Sequence, residues 1–401
     1  MRILQINSVA NSGSTGRIAE DIGNVLLANG HESFIAYGRG KATSNSNLIK
    51  IGSDKNVLFH GAYTLLTDKH GFASRRATEK FVEEVVKINP DLIALHNLHG
   101  YYIHLPTLFN FISNNDIPVV WTLFDCWAFT GHCAYFDDIH CVKWKTYCNR
   151  CPKYTKYPSS CVDNSFLNFE EKKRIFTSVS KMEIIAHSKW LGDLVHESFL
   201  KEFKVHVTPS AINVDLFKPT ISNLRIRYNL GAKKVILGCA STWSNRKGFN
   251  DFLSLSYKLD GEYQIVMIGL NTKEIKALPI NIIGIQRTES IEELAQWYTL
   301  AYVFVNPTSQ DNFPTTNIEA LACGTPVITY KTGGSPESID GQTGFVVEKG
   351  DVNGILEQIE KLKDLNYNDI SRSCRERSEN LYDKNHRFND YLNIFKDLLY
   401  E

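Results

Sequence analysis

The sequence predicts an α/β protein of two successive doubly wound domains, and three observations carry that expectation. Short apolar runs alternate with helix-period segments along most of the chain, the pattern of a parallel sheet with helices on its faces. The alternation lapses around 215–225, at a proline-bounded stretch that includes Phe217-Lys218-Pro219, and restarts at Lys234-Val235-Ile236-Leu237. The length of 401 residues also exceeds the roughly 100–200 residues of one ordinary domain. The domains are accordingly placed at 1–220 and 221–385, with a C-terminal helix over 386–401.

Composition narrows the class. Hydrophobic residues at 43% and charged residues at 22% suit a globular protein in water, and no apolar run approaches the ~20 residues of a membrane span. Lysine plus arginine equals aspartate plus glutamate at 44 each, so no overall charge argues for a nucleic-acid partner. The start, Met1-Arg2-Ile3-Leu4-Gln5-Ile6-Asn7-Ser8, lacks the apolar region of a signal peptide, which points to the cytoplasm. Nine cysteines, an odd number with no export signal, argue against a disulfide framework.

In the first half, Arg2–Ile6 reads as a buried strand, and Asn11-Ser12-Gly13-Ser14-Thr15-Gly16-Arg17 as a loop feeding a helix to about Asn29. Gly13 and Gly16 permit close approach of a ligand where ligands meet doubly wound sheets, although a plain tight turn has the same composition. Further strands are expected at 31–37, 91–96 and 118–123, with a strand running into a helix over 184–191 and a last strand followed by an irregular connection over 205–219. His96 and Asp125 fall at strand ends, where a site would form. A strand-end histidine also serves commonly as a structural hydrogen bonder.

Both periods vanish between 125 and 165, a cysteine-rich insert that holds Cys126, Cys133, Cys141, Cys148, Cys151 and Cys161. Cys148-x-x-Cys151 is one knuckle of a zinc site, with Cys133 and Cys141 to complete a tetrahedral set. Structural zinc, free thiols, and a disulfide or another metal all remain open. Four thiolates would close the shell, so such an ion would not act in catalysis.

The second half repeats the pattern with strands at 234–240, 264–269, 282–284, 303–307 and 327–330. Arg246-Lys247-Gly248 follows the first of them, and cations at a strand-to-helix turn suit a diphosphate. Ser309 to Val327 is a polar loop and short helix: Asp311 precedes the helix, Glu319 sits in its first turn, and Thr315 or Thr316 is the expected N-cap. Two carboxylates beside a helix N-terminus suit sugar hydroxyls and a phosphate. Gly333-Gly334 precedes a further helix start with Ser335 as cap and Pro336 first. A charged helix at 351–363 and an amphipathic one at 389–399 end the chain.

These residues resemble those of the retaining glycosyltransferases of family four. The likeness runs nearly end to end, through Gly13-Ser14-Thr15-Gly16, His96, Ser188-Lys189-Trp190, Asn213-x-Asp215-x-Phe217-x-Pro219, Arg246-Lys247-Gly248 and the acids Asp311 and Glu319. The insert is similar to that of bacterial exopolysaccharide and colanic-acid-type members. The resemblance implies a GT-B fold, two facing Rossmann-like domains with the C-terminal helix packing back, and transfer of a sugar from a UDP- or GDP-sugar to a glycan or lipid-linked acceptor in surface-polysaccharide synthesis. A lipid-linked acceptor would bring peripheral contact with the inner face of a membrane. No catalytic cofactor is required.

By the same resemblance, Lys247 and Arg246 hold the donor diphosphate, Glu319 the ribose, and Asp311 the donor sugar. The backbone of Asn312, Phe313, Pro314 and Thr315 and the Gly333-Gly334 loop lie at the phosphates, and Gly13 and Gly16 line the cleft. His96 and Asp125 lie by the acceptor and donor sugar. Two positions depart from the family: Asp311 replaces a glutamate, and Phe124 replaces a histidine before Asp125. An epimerase of the same fold, or a non-catalytic nucleotide-sugar-binding partner, are the alternative readings.

Overall fold

The computed structural model describes residues 1–400. Contacts divide the chain into two units, Met1–Thr208 with the chain from Phe388 onward, and Pro209–Arg387; the sequence-based divides stand at 220 and 385.

The first unit is built on a seven-stranded parallel sheet of β1 (Arg2–Asn7), β2 (Glu32–Tyr37), β3 (Asn47–Lys50), β4 (Leu92–Leu95), β5 (Val119–Leu123), β6 (Met182–Ala186) and β7 (Lys204–Val207). Its strand order is β3-β2-β1-β4-β5-β6-β7. The central strands β4, β5 and β6 are buried at every position, because helices cover both faces and leave no side for polar alternation. The edge strand β3 has no fully buried residue; four residues without an apolar run give little to read in sequence. Strand order reverses between β1 and β4, so the loops after those two strands diverge and leave a crevice.

The insert has no strand and three short 3-10 turns, Trp127–Phe129, Asp137–Ile139 and Lys143–Lys145. Its own aromatic residues fold it: Trp144 packs against Phe129 and Phe136 at 5.2 and 5.0 Å between ring centroids. Lys172, on the helix Ser165–Phe176, lies buried beneath it and donates to the carbonyls of Trp127 (2.8 Å) and Thr130 (3.1 Å).

The second unit has a six-stranded parallel sheet of β8 (Lys234–Cys239), β9 (Tyr263–Ile268), β10 (Ile282–Ile285), β11 (Val303–Asn306), β12 (Val327–Tyr330) and β13 (Gly344–Val347). The order β10-β9-β8-β11-β12-β13 is the doubly wound order, with its switch between β8 and β11. Among the elements absent from the sequence-based expectation are β13 and the helix Tyr367–Tyr382. That helix buries only Cys374, Ser378 and Tyr382, too thin a stripe to stand out. Polar ties secure it instead, with Arg375 donating to the carbonyls of Val214, Phe217 and Ala322. The last helix spans Lys384–Tyr400, earlier in its start than expected, and buries Phe388, Tyr391, Leu392, Ile394 and Phe395.

Candidate functional site

In the second unit the loops after β8, β11 and β12 meet at the carboxyl edge of the sheet. Asn245–Lys247 forms a single 3-10 turn. Arg246 donates to the carbonyl of Gln310 at 2.7 Å, and its own carbonyl accepts from the Ser309 N–H at 2.8 Å. Lys247 Nζ lies 2.6 Å from Asp311 Oδ2. These contacts fasten the cationic turn to the acidic loop on the adjacent strand.

Two glycines make the approach of these loops achievable. Gly248 has φ +80°, and a Cβ there would stand 2.3 Å from Pro307 Cγ. Gly333 has φ +53°, and a Cβ would stand 1.8 Å from the Asp311 carbonyl oxygen. A side chain at either position would separate the loops.

The helix Thr315–Ala322 begins against this cluster. Pro314 is its N-cap and no side chain caps it, which corrects the expectation that Thr315 or Thr316 fills that role. Both threonines are already helical, because the fixed φ of Pro314 ends the loop one residue sooner. The first-turn N–H groups therefore have no side-chain cap to satisfy them, the arrangement that attracts an anion. Ser335 likewise is the first residue of its 3-10 turn, Ser335–Ser338, with Gly334 at the cap position. Its hydroxyl points inward to a buried network that sequence reading missed. Asn317 accepts from Asn306 at 2.7 Å and donates to Ser335 (3.2 Å) and Ser338 (2.9 Å), tying this helix to the Gly333-Gly334 loop.

The expectation of Glu319 in the first turn of the helix is corrected: no acid stands there, because the helix begins only at Thr315. Glu319 lies one turn in and accepts from the Tyr298 hydroxyl at 2.9 Å. Burial pushes the Tyr298 phenol well up, so it keeps its proton and fixes one carboxylate oxygen. Arg246, Lys247, Asp311, Glu319, Gly333 and Gly334 thus share one sheet edge, with Asn312, Phe313, Pro314 and Thr315 as the backbone between the acids. Phe313 is buried and packs on Tyr382 at 5.8 Å.

The first unit gathers a second group. Asn7, at the end of β1, accepts from the N–H groups of Ser8 and Asn97, so one side chain pins both loops that flank the strand-order switch. The helix after β1 starts at Gly13, so Gly13 and Gly16 lie in its first turn and not in a loop before it. A Cβ on Gly16 would stand 3.1 Å from Val9 Cγ2.

His96 is 2% exposed and hydrogen-bonds Gln5 at 2.9 Å, while its Nδ1 is buried without a partner. Burial depresses it to about 3, so it stays neutral. The histidine that meets Asp125 is His99. Its Nε2 lies 2.8 Å from Asp125 Oδ2 and its Nδ1 2.8 Å from the Tyr157 hydroxyl. Asp125 Oδ1 also accepts from the Trp127 N–H at 2.9 Å. Asn97, His99, Phe124, Asp125 and Trp127 line one pocket with His96. Tyr157 belongs to the insert, so the insert braces His99 from its other ring nitrogen, a relation that no local pattern discloses.

All nine cysteines are free thiols. Cys133, Cys141, Cys148 and Cys151 do share the wall of one cavity. Cys133 and Cys151 hydrogen-bond each other, and Cys148 Sγ accepts from the Gly131 N–H at 3.2 Å. No group of three or more His, Cys, Asp or Glu side chains among the described residues is set to hold a metal ion.

Comparison with known proteins bears on both units. Residues 233–364 match the family described as glycosyl transferases group 1. Over an alignment 422 positions long, covering 99% of this chain and 100% of the relative, the chain is 22% identical to a putative colanic acid biosynthesis glycosyl transferase of Escherichia coli K12. Among solved structures, sucrose-phosphate synthase from Thermosynechococcus elongatus superposes with a TM-score of 0.72 at 17% identity, over 99% of each chain. HepE of Anabaena in complex with UDP-glucose superposes with a TM-score of 0.70 at 14% identity, over 99% of this chain and 100% of that one. These likenesses show the fold, GT-B, with two Rossmann-like units in one chain.

Proposed function

We propose that the chain, a GT-B protein with a group 1 glycosyl transferase domain at 233–364, transfers a sugar with retention from a UDP- or GDP-sugar. The acceptor is a glycan or lipid-linked sugar in surface-polysaccharide synthesis, and the reaction needs no metal. One observation carries the reading: Lys247, Asp311 and the start of the helix Thr315–Ala322 meet on one sheet edge, beside Arg246. The relative named for colanic acid synthesis and the solved neighbour in complex with UDP-glucose support it.

Departure of a nucleoside diphosphate builds negative charge on the leaving phosphate. Lys247, Arg246 and the helix N–H groups are placed beforehand to receive that charge, and such groups stabilise a transition state without reorganising. Asp311 keeps Lys247 on the loop edge until a phosphate shares it, and its carboxylate then serves the hydroxyls of the donor sugar. Glu319, with one oxygen taken by Tyr298, offers the other to the ribose. On the first unit, Asp125 accepts a hydroxyl of the acceptor while His99 and the Trp127 N–H hold the carboxylate in place. A carboxylate fixed by two donors recognises a hydroxyl at little further cost in entropy.

The test is release of nucleoside diphosphate by the purified protein across a panel of UDP- and GDP-sugars with candidate acceptors. Lys247→Ala and Glu319→Ala should each lower turnover by about 10²-fold or more, with the fold retained by circular dichroism. Turnover near wild type in both variants would overturn the site assignment.

A further inference from the structure

Tyr101 holds an unusual backbone. It follows Gly100, whose φ is +138°, and itself sits at φ +67°, in the left-handed region that bulky side chains avoid. Gly100 is confined by Ser8, whose Cβ a Gly100 Cβ would meet at 2.9 Å. His70 holds the turn: burial keeps its ring neutral, its Nε2 accepts from the Gly100 N–H at 3.3 Å, and its ring lies 4.7 Å from that of Tyr101. A strained residue that its neighbours fix in place points to a functional position.

Tyr157 of the insert makes a corner with it. The two rings stand 6.4 Å apart between centroids, at 81°. An ionised Asp125 can only accept, so the neutral ring of His99 donates to it through Nε2 and accepts from the Tyr157 hydroxyl through Nδ1. Burial of that hydroxyl pushes the phenol up, so it keeps its proton. Tyr157 is nonetheless 47% exposed, so an aromatic ring locked by its polar tip meets water beside Asp125. Covering a rigid aromatic face costs a ligand little entropy. A pyranose suits such a corner, with its C–H face for the aromatic ring and hydroxyls around its rim for a carboxylate.

A cation borders the corner. Gly38 and Arg39 follow β2, and their N–H groups both donate to the Ser8 carbonyl, at 3.2 and 2.9 Å. A Cβ on Gly38 would stand 2.1 Å from Tyr102 Cβ, so this loop lies against the turn that carries Tyr101. The Arg39 charge acts on the Tyr101 and Tyr157 phenols, opposing the burial that raises them. Arg39 is exposed, and among the described residues no carboxylate pairs with it. Its planar fork suits a phosphate or a carboxylate.

We propose that Tyr101, Tyr157 and Arg39 form a subsite for an anionic sugar, whose ring stacks on Tyr157, whose hydroxyl reaches Asp125 and whose phosphate or carboxylate meets Arg39. The insert thereby sets which sugar the first unit admits. That this sugar is the acceptor rests on the glycosyl-transfer reading; its binding does not.

The test is ligand-observed NMR titration of glucose 1-phosphate, glucuronic acid and methyl glucoside into wild type, Tyr157→Leu, Tyr157→Phe and Arg39→Gln. Wild type should bind at least one of the two anions about tenfold more tightly than methyl glucoside, and Arg39→Gln should erase that preference. The tighter anion identifies the group as phosphate or carboxylate. Tyr157→Leu should weaken all three sugars by about tenfold, and Tyr157→Phe, which keeps the stacking face, should lose less. Equal affinity of wild type for the three sugars, unchanged binding in Tyr157→Leu, or no binding by wild type would each overturn the subsite. Calorimetry with UDP and GDP reads the second unit in parallel, and affinity should be the same in every variant. Failure of wild type to bind either nucleotide would count against the glycosyl-transfer reading and not against the subsite.

Discussion

Glu319 and Lys247 stood out because each belongs to a short local pattern, an acid on a short helix after a polar loop and a cation pair at a strand-to-helix turn. His99 was not. It sits three residues beyond the strand-end His96, and only the fold reveals that His96 is bonded to Gln5 while His99 meets Asp125. The distinction has a kinetic consequence. His99 positions the Asp125 carboxylate on the acceptor side, so His99→Ala should raise the acceptor KM and lower transfer by about 10–100-fold, the cost of losing a hydrogen bond to a charged group. Affinity for the nucleotide should hold. Steady-state kinetics with acceptor varied, beside nucleotide titration, separates the two; equal losses in both would remove His99 from the acceptor side.

Among the elements, the regular strands were readable from buried apolar runs, and the exceptions share a cause. β3, β13 and the helix Tyr367–Tyr382 bury few apolar side chains of their own and are held by neighbouring strands or by Arg375, so their signals lie in tertiary contacts. The caps at Thr315 and Ser335 failed because a preceding proline in one case and glycine in the other took the position. The insert is the element whose chemistry is most distinctive. Its four cysteines line one cavity, and we propose that rotation of those side chains admits a structural zinc ion. Elemental analysis of the purified protein should then give about one zinc per chain, lost in Cys148→Ser/Cys151→Ser together with some thermal stability of the first unit. Metal-free protein with all nine thiols titratable would dismiss the ion.

For the whole molecule, the two doubly wound units were legible in the alternation of strand and helix, while the long-range partner that braces His99 was not, since Tyr157 and His99 are 58 residues apart. The first unit also stores a pH response. His60 and His96 are depressed to about 3 and His187 to about 4, all chiefly by burial, from an ordinary value of 6.5. The unfolded chain takes up these protons as pH falls through 6.5, and the folded unit does not until near 3–4, so stability is lost as pH falls below 6.5. The loss amounts to about 2 kcal/mol per histidine by about pH 5. Denaturant melts of the first unit's signal at about pH 7 and about pH 5 would show it, and equal midpoints would contradict it.

The central claim is that the loop edge of the second unit is a nucleoside-diphosphate site. Calorimetric titration of UDP and of GDP into the wild-type protein and into Lys247→Ala tests it directly. One of the two nucleotides should bind wild type, and Lys247→Ala should weaken that binding by about 10–100-fold. Binding of neither nucleotide, or equal affinity in the variant, would contradict the claim.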